Sequence, residues 1–288
     1  MIRFRIPLPR FYRADSILSY HARDPERLCE RVEGRVLTKA IEIGGRAALL
    51  RLDLSQGDEA AITLDAGDRR TAEAYAARLL ALDGDPAAFK KAFARHPQLA
   101  DLVRRRPHLR LGRTASIFEA LTWAILGQQV NLAFATQLRR DVIRLAGTPH
   151  KSGMIAHPSP ARLAALEPAQ LTALKLSRSK ADYLLGAARA VASGALDLDA
   201  LASLPAGQAF EALRALRGIG PWTAYYVLLR GAGLPDVAPI GDAGLAAALQ
   251  RAFGLKARPS PQEQAELMAR FAPHRSLATA HLWAGLGD

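Results

Sequence analysis

The chain has 288 residues, half of them hydrophobic, and 39 Lys+Arg against 27 Asp+Glu give it a formal charge of +12. This apolar content excludes a disordered chain, and the length suits one large domain or two to three small ones. The basic excess suits a polyanionic partner such as DNA or RNA, and a single cysteine, Cys29, excludes an intrachain disulfide framework, a four-cysteine zinc site and an iron–sulfur cluster.

From the N-terminus, MIRFRIPLPRFYR lacks the apolar core of a signal peptide, and no later run is apolar for long enough to span a membrane. The expectation is a soluble, cytoplasmic protein with no membrane partner. Residues 35–64 read as strands. Leu50, Leu52 and Leu54 alternate with Arg51 and Asp53, the period of a half-buried strand, and VLTKAIEI before them ends at a Gly44-Gly45 hairpin turn. AAITL at 60–64 adds a further strand. From about residue 71 the pattern is helical to the end. The predicted class is α+β, predominantly α: a small antiparallel sheet with flanking helices over 1–75, then a helical body over 76–288.

Helix starts punctuate the body. Ser116 and Glu119 form a capping-box signature, Ser179 with Asp182 is read as a second start, and Ser260-Pro261 with Glu263 as a third. The helix from Ser116 is apolar almost throughout, yet its middle reads GQQVN. Two adjacent amides are costly in a buried helix, so a break that presents them at a loop is expected. The clusters Arg104-Arg105-Arg106 and Arg139-Arg140 read as solvated faces.

Further along, LRALRGIGPWTAYYVLLRGAGLPDVAPIGDAGL spans residues 213–245. Gly218 and Gly220 permit a tight reversal, Ile219 between them can anchor the turn in the core, and Pro221 suits the first position of the next helix. The amides near Trp222 and Thr223 then lie unpaired at a positive helix end, a device that binds phosphate without a side-chain charge. An ordinary helix–turn–helix connection reads the same way in isolation. Asp242 stands about twenty residues on, placed either to cap the helix AGLAAALQRAF or to serve as an isolated carboxylate.

These residues carry a resemblance. LRGIGPWTAYYVLLR with the downstream Asp242 resembles the hairpin and catalytic aspartate of the helix-hairpin-helix DNA glycosylases. PHLRLGRTASIFEALTWAILGQQV (107–130), LKLSRSKADYLLGAARAVASG (174–194) and FAPHRSLATAHLWAG (271–285) are similar to its alkylation-repair branch, the DNA-3-methyladenine glycosylase II family. The resemblance covers nearly the whole chain, strongly from residue 107. It implies a hairpin at about 207–230, double-stranded DNA with alkylated bases as partner, and excision of the base by hydrolysis of its N-glycosidic bond. Monomeric action is the default for an enzyme that scans and bends a duplex.

Residue by residue, the resemblance makes Asp242 the carboxylate beside the anomeric carbon and Trp222, Tyr226 and Trp283 an aromatic base pocket. Gly218, Gly220 and Thr223 are the phosphate grip, and Gln129 is the side chain inserted into the duplex. It also implies a monovalent cation, Na+ or K+, on the main-chain carbonyls of Arg214, Leu216 and Gly218, with no cofactor required. Stacking on aromatic faces suits a base made cationic by methylation. Bifunctional relatives place a lysine where this chain has Trp222. Only 7 of the basic residues are lysine and none lies between Lys180 and Lys256, so water is the expected nucleophile. The chain departs from the pattern beside the aspartate, where Gly241, Ala243 and Gly244 replace bulkier groups, and at Gln129, where an apolar wedge is common. An oxidised-purine glycosylase and a non-catalytic binder of damaged DNA are the competing readings.

Overall fold

Residues 1–288 are described by a computed structural model, in which the N-terminal alternation becomes a five-stranded antiparallel sheet. Its strands are β1 (Ile2–Pro7), β2 (Glu30–Glu33), β3 (Val36–Ile43), β4 (Arg46–Asp53) and β5 (Glu59–Leu64), in the order β1-β5-β4-β3-β2, with α1 (Asp15–His21) between β1 and β2. Gly44 and Gly45 both take positive φ at the β3–β4 turn, as the sequence requires. β1 and β2 were not evident from the sequence. β1 alternates half-buried and exposed side chains because only one of its faces meets the core. Leu50, Leu52 and Leu54 pack with Ile17 of α1 and with Ala72, Ala76 and Leu79 of α2 (Arg69–Leu79).

Beyond it come α3 (Pro86–Phe93), α4 (Ala100–Arg105), α5 (Ile117–Gly127) and α6 (Leu132–Ala146), then a two-stranded ribbon of β6 (Thr148–Pro149) and β7 (Ile155–Ala156). The chain continues through α7 (Pro160–Ala164), α8 (Pro168–Ala173), α9 (Arg178–Ala192), α10 (Ala206–Arg214) and α11 (Pro221–Tyr226). A π-helical segment, Val227–Ala232, prolongs α11, and α12 (Ala243–Phe253), α13 (Pro261–Ala269) and α14 (Arg275–Gly285) complete the molecule. Two further cores result. One joins α5, α6, α9, α10 and α11. The other joins α3 and α4 to α12–α14 through Phe89, Phe93, Val103, Leu249, Phe271 and Leu282.

Three local readings change. α9 starts two residues earlier than Ser179 suggested, because the Ser177 hydroxyl accepts the Lys180 amide and Ser177 takes the extended cap conformation. At α5 Ser116 accepts the Glu119 amide at 3.1 Å, but the Glu119 carboxylate goes elsewhere. It meets Lys39 Nζ and Arg139 Nη2, each at 2.7 Å, and both cations also reach Glu30, at 2.7 and 3.2 Å. Arg139 is therefore not on a solvated face: it is buried in an ionic cluster that ties β2 and β3 to α5 and α6. Arg140 is paired as well, with Asp24 and Glu26.

Candidate active site

The hairpin forms where the glycines stand. α10 ends at Arg214, Gly218 takes φ +83°, and Gly220 caps α11 with Pro221 at its first position. A Cβ at Gly218 would fall 2.2 Å from the ring of Tyr183 on α9, so this position excludes a side chain both by conformation and by contact. Ile219 is buried in the helical core. The amides of Trp222 and Thr223 have no hydrogen-bond partner within the protein, which leaves two donors at a helix end. The Thr223 side chain is turned inward and buried, so only its amide is available.

The GQQVN break is real, and its three amide side chains divide the work. α5 stops at Gly127 and α6 starts at Leu132. Gln128 donates through Nε2 to the Gly218 carbonyl and to Thr223 Oγ1, both at 3.0 Å, so it fastens the loop to the hairpin. Asn131 caps α6 by accepting the Phe134 amide at 2.9 Å. Gln129 is exposed, as Asn131 is, but of the three it is the one whose side chain makes no hydrogen bond, and it takes φ +54°. Nothing in the protein uses its side chain, and it stands beside the hairpin.

Asp242 caps α12, and its carboxylate does more than cap. Oδ1 accepts the Leu245 amide at 2.7 Å and Trp283 Nε1 at 3.1 Å, while Oδ2 accepts Trp222 Nε1 at 3.0 Å. Three donors from α11, α12 and α14 thus fix both oxygens, at the seam where the second and third cores meet. Gly244 suits this crowding, since a Cβ there would lie 3.0 Å from Asp242 Oδ1 and 3.3 Å from Trp283 Nε1. Trp222 and Tyr226 share one face of α11 with ring centres 5.5 Å apart. The structure therefore brings Asp242, Trp222, Tyr226 and Trp283 together, with the hairpin donors at the N-terminus of the same helix.

Some neighbours gave no signal in the sequence. Tyr20, on α1, stands between a cavity of about 860 Å³ lined also by Arg230 and Trp283 and a smaller one of about 60 Å³ lined also by Trp123, Thr136 and Tyr226. No local pattern links residue 20 to residue 226. Arg230 was legible in principle, because it follows Tyr226 by four on a continuous helix. Arg275 is paired through Nε and Nη2 with Asp236, at 2.7 and 2.9 Å. Lys180, at the edge of the lysine gap in sequence, donates through Nζ to the Leu126 carbonyl at 2.9 Å. The side-chain and amide donors on Asp242 are Trp222, Trp283 and Leu245.

The structure thus joins a helix-hairpin-helix turn with two free backbone amides to a seam that holds a carboxylate among aromatic rings. Residues 122–274 match the HhH-GPD family, described as HhH-GPD superfamily base excision DNA repair protein, and the chain belongs to that family. It is 30% identical over 289 residues to a DNA-3-methyladenine glycosylase of Bacillus subtilis, covering 96% of this chain and 95% of the relative. DNA-3-methyladenine glycosylase 2 of Escherichia coli is 35% identical over 187 residues, 64% of this chain and 63% of that protein. Among solved structures, a 3-methyladenine DNA glycosylase from Archaeoglobus fulgidus superposes with a TM-score of 0.85 at 23% identity, covering 98% of this chain and 97% of that one, which shows the shared fold.

Proposed function

We propose that this protein is a monofunctional DNA glycosylase that extrudes and excises alkylated bases of the 3-methyladenine and 7-methylguanine type, initiating base excision repair. The observation that carries the reading is the Asp242 carboxylate, fixed by the Trp222 and Trp283 indoles beside the hairpin. The unpaired amides after Gly220 hold a backbone phosphate, and the exposed Gln129 enters the gap that the extruded nucleotide leaves. Trp222, Tyr226 and Trp283 form the wall that receives the base.

Methylation at a ring nitrogen makes the base a cation, so it departs with the electron pair of the C1′–N bond and needs no general acid. Oxocarbenium charge then develops on the sugar, where the fixed carboxylate stabilises it. Water adds through oxygen to C1′ and gives up a proton, leaving an abasic site. Lys180 is held on the end of α5 by the Leu126 carbonyl, away from the hydrogen bonds of Asp242, and this supports water over an amine as nucleophile.

No cofactor enters this chemistry. A monovalent cation on the carbonyls of Arg214, Leu216 and Gly218 would be a second partner for two of them, since Gly218 O already accepts from Gln128 and Leu216 O from the Ile219 amide. Arg214 Nη1 also donates to the neighbouring Ile219 carbonyl at 3.0 Å, so a guanidinium lies at the turn. We propose a monomer on DNA and a cytoplasmic location, nucleoid-associated if the protein is bacterial. No helix is long and apolar enough to cross a membrane.

The test is base release from dimethyl sulfate-treated duplex, resolved by chromatography, with strand breaks scored before and after mild alkali. Methylated purines in the supernatant and breaks only after alkali are expected. Breaks without alkali would refute the monofunctional assignment. Duplex binding without release would turn the reading to a damaged-DNA binder.

A further inference from the structure

Arg230 extends the helix face that carries Trp222 and Tyr226, lying eight residues beyond the first and four beyond the second. It is only 6% exposed, yet no carboxylate pairs with it. The guanidinium makes one hydrogen bond within the protein, from Nη1 to the Gly112 carbonyl at 2.5 Å, and its buried Nε has no partner. What surrounds the guanidinium is aromatic: its carbon lies 4.5 Å from the ring centre of Tyr20 and 4.9 Å from that of Trp283. The same three side chains line a cavity of about 860 Å³ between α1, the loop before α5 and α14. Arg23 also lies over Tyr20, at 4.8 Å, and adds a second positive charge to this wall.

Burying a cation with no counter-ion is expensive, and two ring faces with one carbonyl offset it only in part. The backbone is shaped to keep it there. A Cβ at Gly112 would fall 2.6 Å from the Tyr20 side chain, so glycine lets that ring settle on the loop whose carbonyl holds Arg230. Trp222 and Tyr226 carry no arginine on their faces, whereas Trp283 and Tyr20 are already committed to one. The surroundings of Asp242 therefore have two unlike sides: Trp222 and Tyr226 carry no cation, whereas Trp283, which donates to Asp242, carries Arg230 together with Tyr20.

We infer that Arg230 is a specificity-determining residue of the base pocket, favouring extruded bases that present a carbonyl or ring-nitrogen acceptor and disfavouring those that carry a ring cation. This inference rests on the glycosylase reading and deepens it. A cationic base needs little help to leave and loses affinity beside a buried guanidinium. A neutral base with an acceptor edge leaves less readily and gains a charge-assisted hydrogen bond. Arg230 thereby narrows the difference in rate between the two kinds of base.

The experiment compares single-turnover release of two bases by the wild type, Arg230→Gln and Arg230→Lys. Hypoxanthine from a deoxyinosine duplex is the neutral, carbonyl-bearing probe. 3-Methyladenine from dimethyl sulfate-treated duplex is the cationic one, with an amine where the other has a carbonyl. Glutamine keeps a donor for Gly112 and removes the charge, so the ratio of 3-methyladenine to hypoxanthine release should rise roughly tenfold or more, as expected for one charged hydrogen bond. Lysine keeps the charge and should hold the ratio within about threefold of wild type by the same scale. If Arg230→Gln does not fold, Gly112→Ala displaces the Tyr20–Arg230 pair from outside and must shift the ratio in the same direction. Equal losses on both bases would make Arg230 purely structural and overturn the inference, while leaving the glycosylase reading intact. Release of neither base by the wild type would bring down both.

Discussion

Replacing Asp242 by asparagine or by alanine separates its two roles, because the structure predicts different consequences for each. Asparagine caps helices about as well as aspartate, and its carbonyl can still accept the Leu245 amide and Trp283 Nε1. That orientation turns the amide NH2 onto Trp222 Nε1, setting donor against donor at a contact now 3.0 Å long. The reverse orientation makes two such conflicts, so the first is adopted, at a local cost of about 1–3 kcal/mol. The catalytic loss is larger. A carboxylate about 4 Å from an oxocarbenium centre contributes roughly 4 kcal/mol at an effective dielectric of about 20, or about a thousandfold in rate. Alanine loses the same charge and also the cap, worth about 1 kcal/mol, or about 2 °C in melting temperature for a chain of this size. Single-turnover base release should therefore show both variants slowed by about a thousandfold, while thermal unfolding shows a fall of only a few degrees in each, from the donor conflict in asparagine and from the lost cap in alanine. Release by Asp242→Asn within tenfold of wild type, with duplex binding unchanged, would reduce Asp242 to a helix cap and remove the basis of the proposed reaction.

Glu119→Gln leaves Lys39 and Arg139 buried with one carboxylate fewer between them, and unfolding should cost about 3–5 kcal/mol less, read as a melting temperature lower by roughly 10 °C. Acid should act on the same cluster. Burial pushes the Glu119 carboxyl up, but Lys39 and Arg139 outweigh it and hold the group down at about 2, so its contribution is full above its unfolded value near 4.5 and is lost as pH falls toward 2. His281, buried against Phe89, is pushed down by burial to about 4, so the folded state gives up stability as pH falls from about 6.5 toward 4. Denaturant midpoints measured from pH 7 to pH 3 should decline in two stages, and a flat profile between pH 6.5 and 4 would contradict the histidine assignment. Gly218→Ala forces a methyl onto Tyr183 at a positive-φ position, and duplex binding should weaken by about tenfold while the melting temperature falls by only a few degrees. Unchanged affinity in a folded variant would show that the turn does not grip the backbone.

What the sequence makes legible follows chain distance. The hairpin turn, the Asp242 cap, the Ser260 capping box and the β3–β4 turn each rest on residues a few positions apart, and each forms where the pattern placed it. The GQQVN break was readable for the same reason, although which amide points outward was not. That is decided by Gln128 reaching Gly218 and Thr223, some ninety residues away. Arg139 shows the opposite failure. Arg139-Arg140 reads as solvated because nothing local is acidic enough to bury it, and the glutamates that do so come from β2 and α5. Tyr20 is the functional instance of the same limit: α1 belongs to the sheet core, yet its ring helps wall the cavity beside Trp283.

These long-range choices also explain why the carboxylate sits where it does. Each core on its own would bury apolar surface and leave its polar side chains in water. Trp222 and Trp283 both pack against the core of α5–α11, Asp242 caps α12 of the core of α12–α14, and Tyr20 comes from α1, whose Ile17 and Leu18 lie in the sheet core. Only where these elements abut do two indole N–H groups converge on one carboxylate. A site on a single rigid element could hold Asp242 as firmly, but it could not surround an extruded nucleotide. On the proposed reading assembly at a seam does both, and it couples the hairpin to the position of the acid, since α11 begins at the Gly220 turn and carries Trp222 to Asp242 within its first turn.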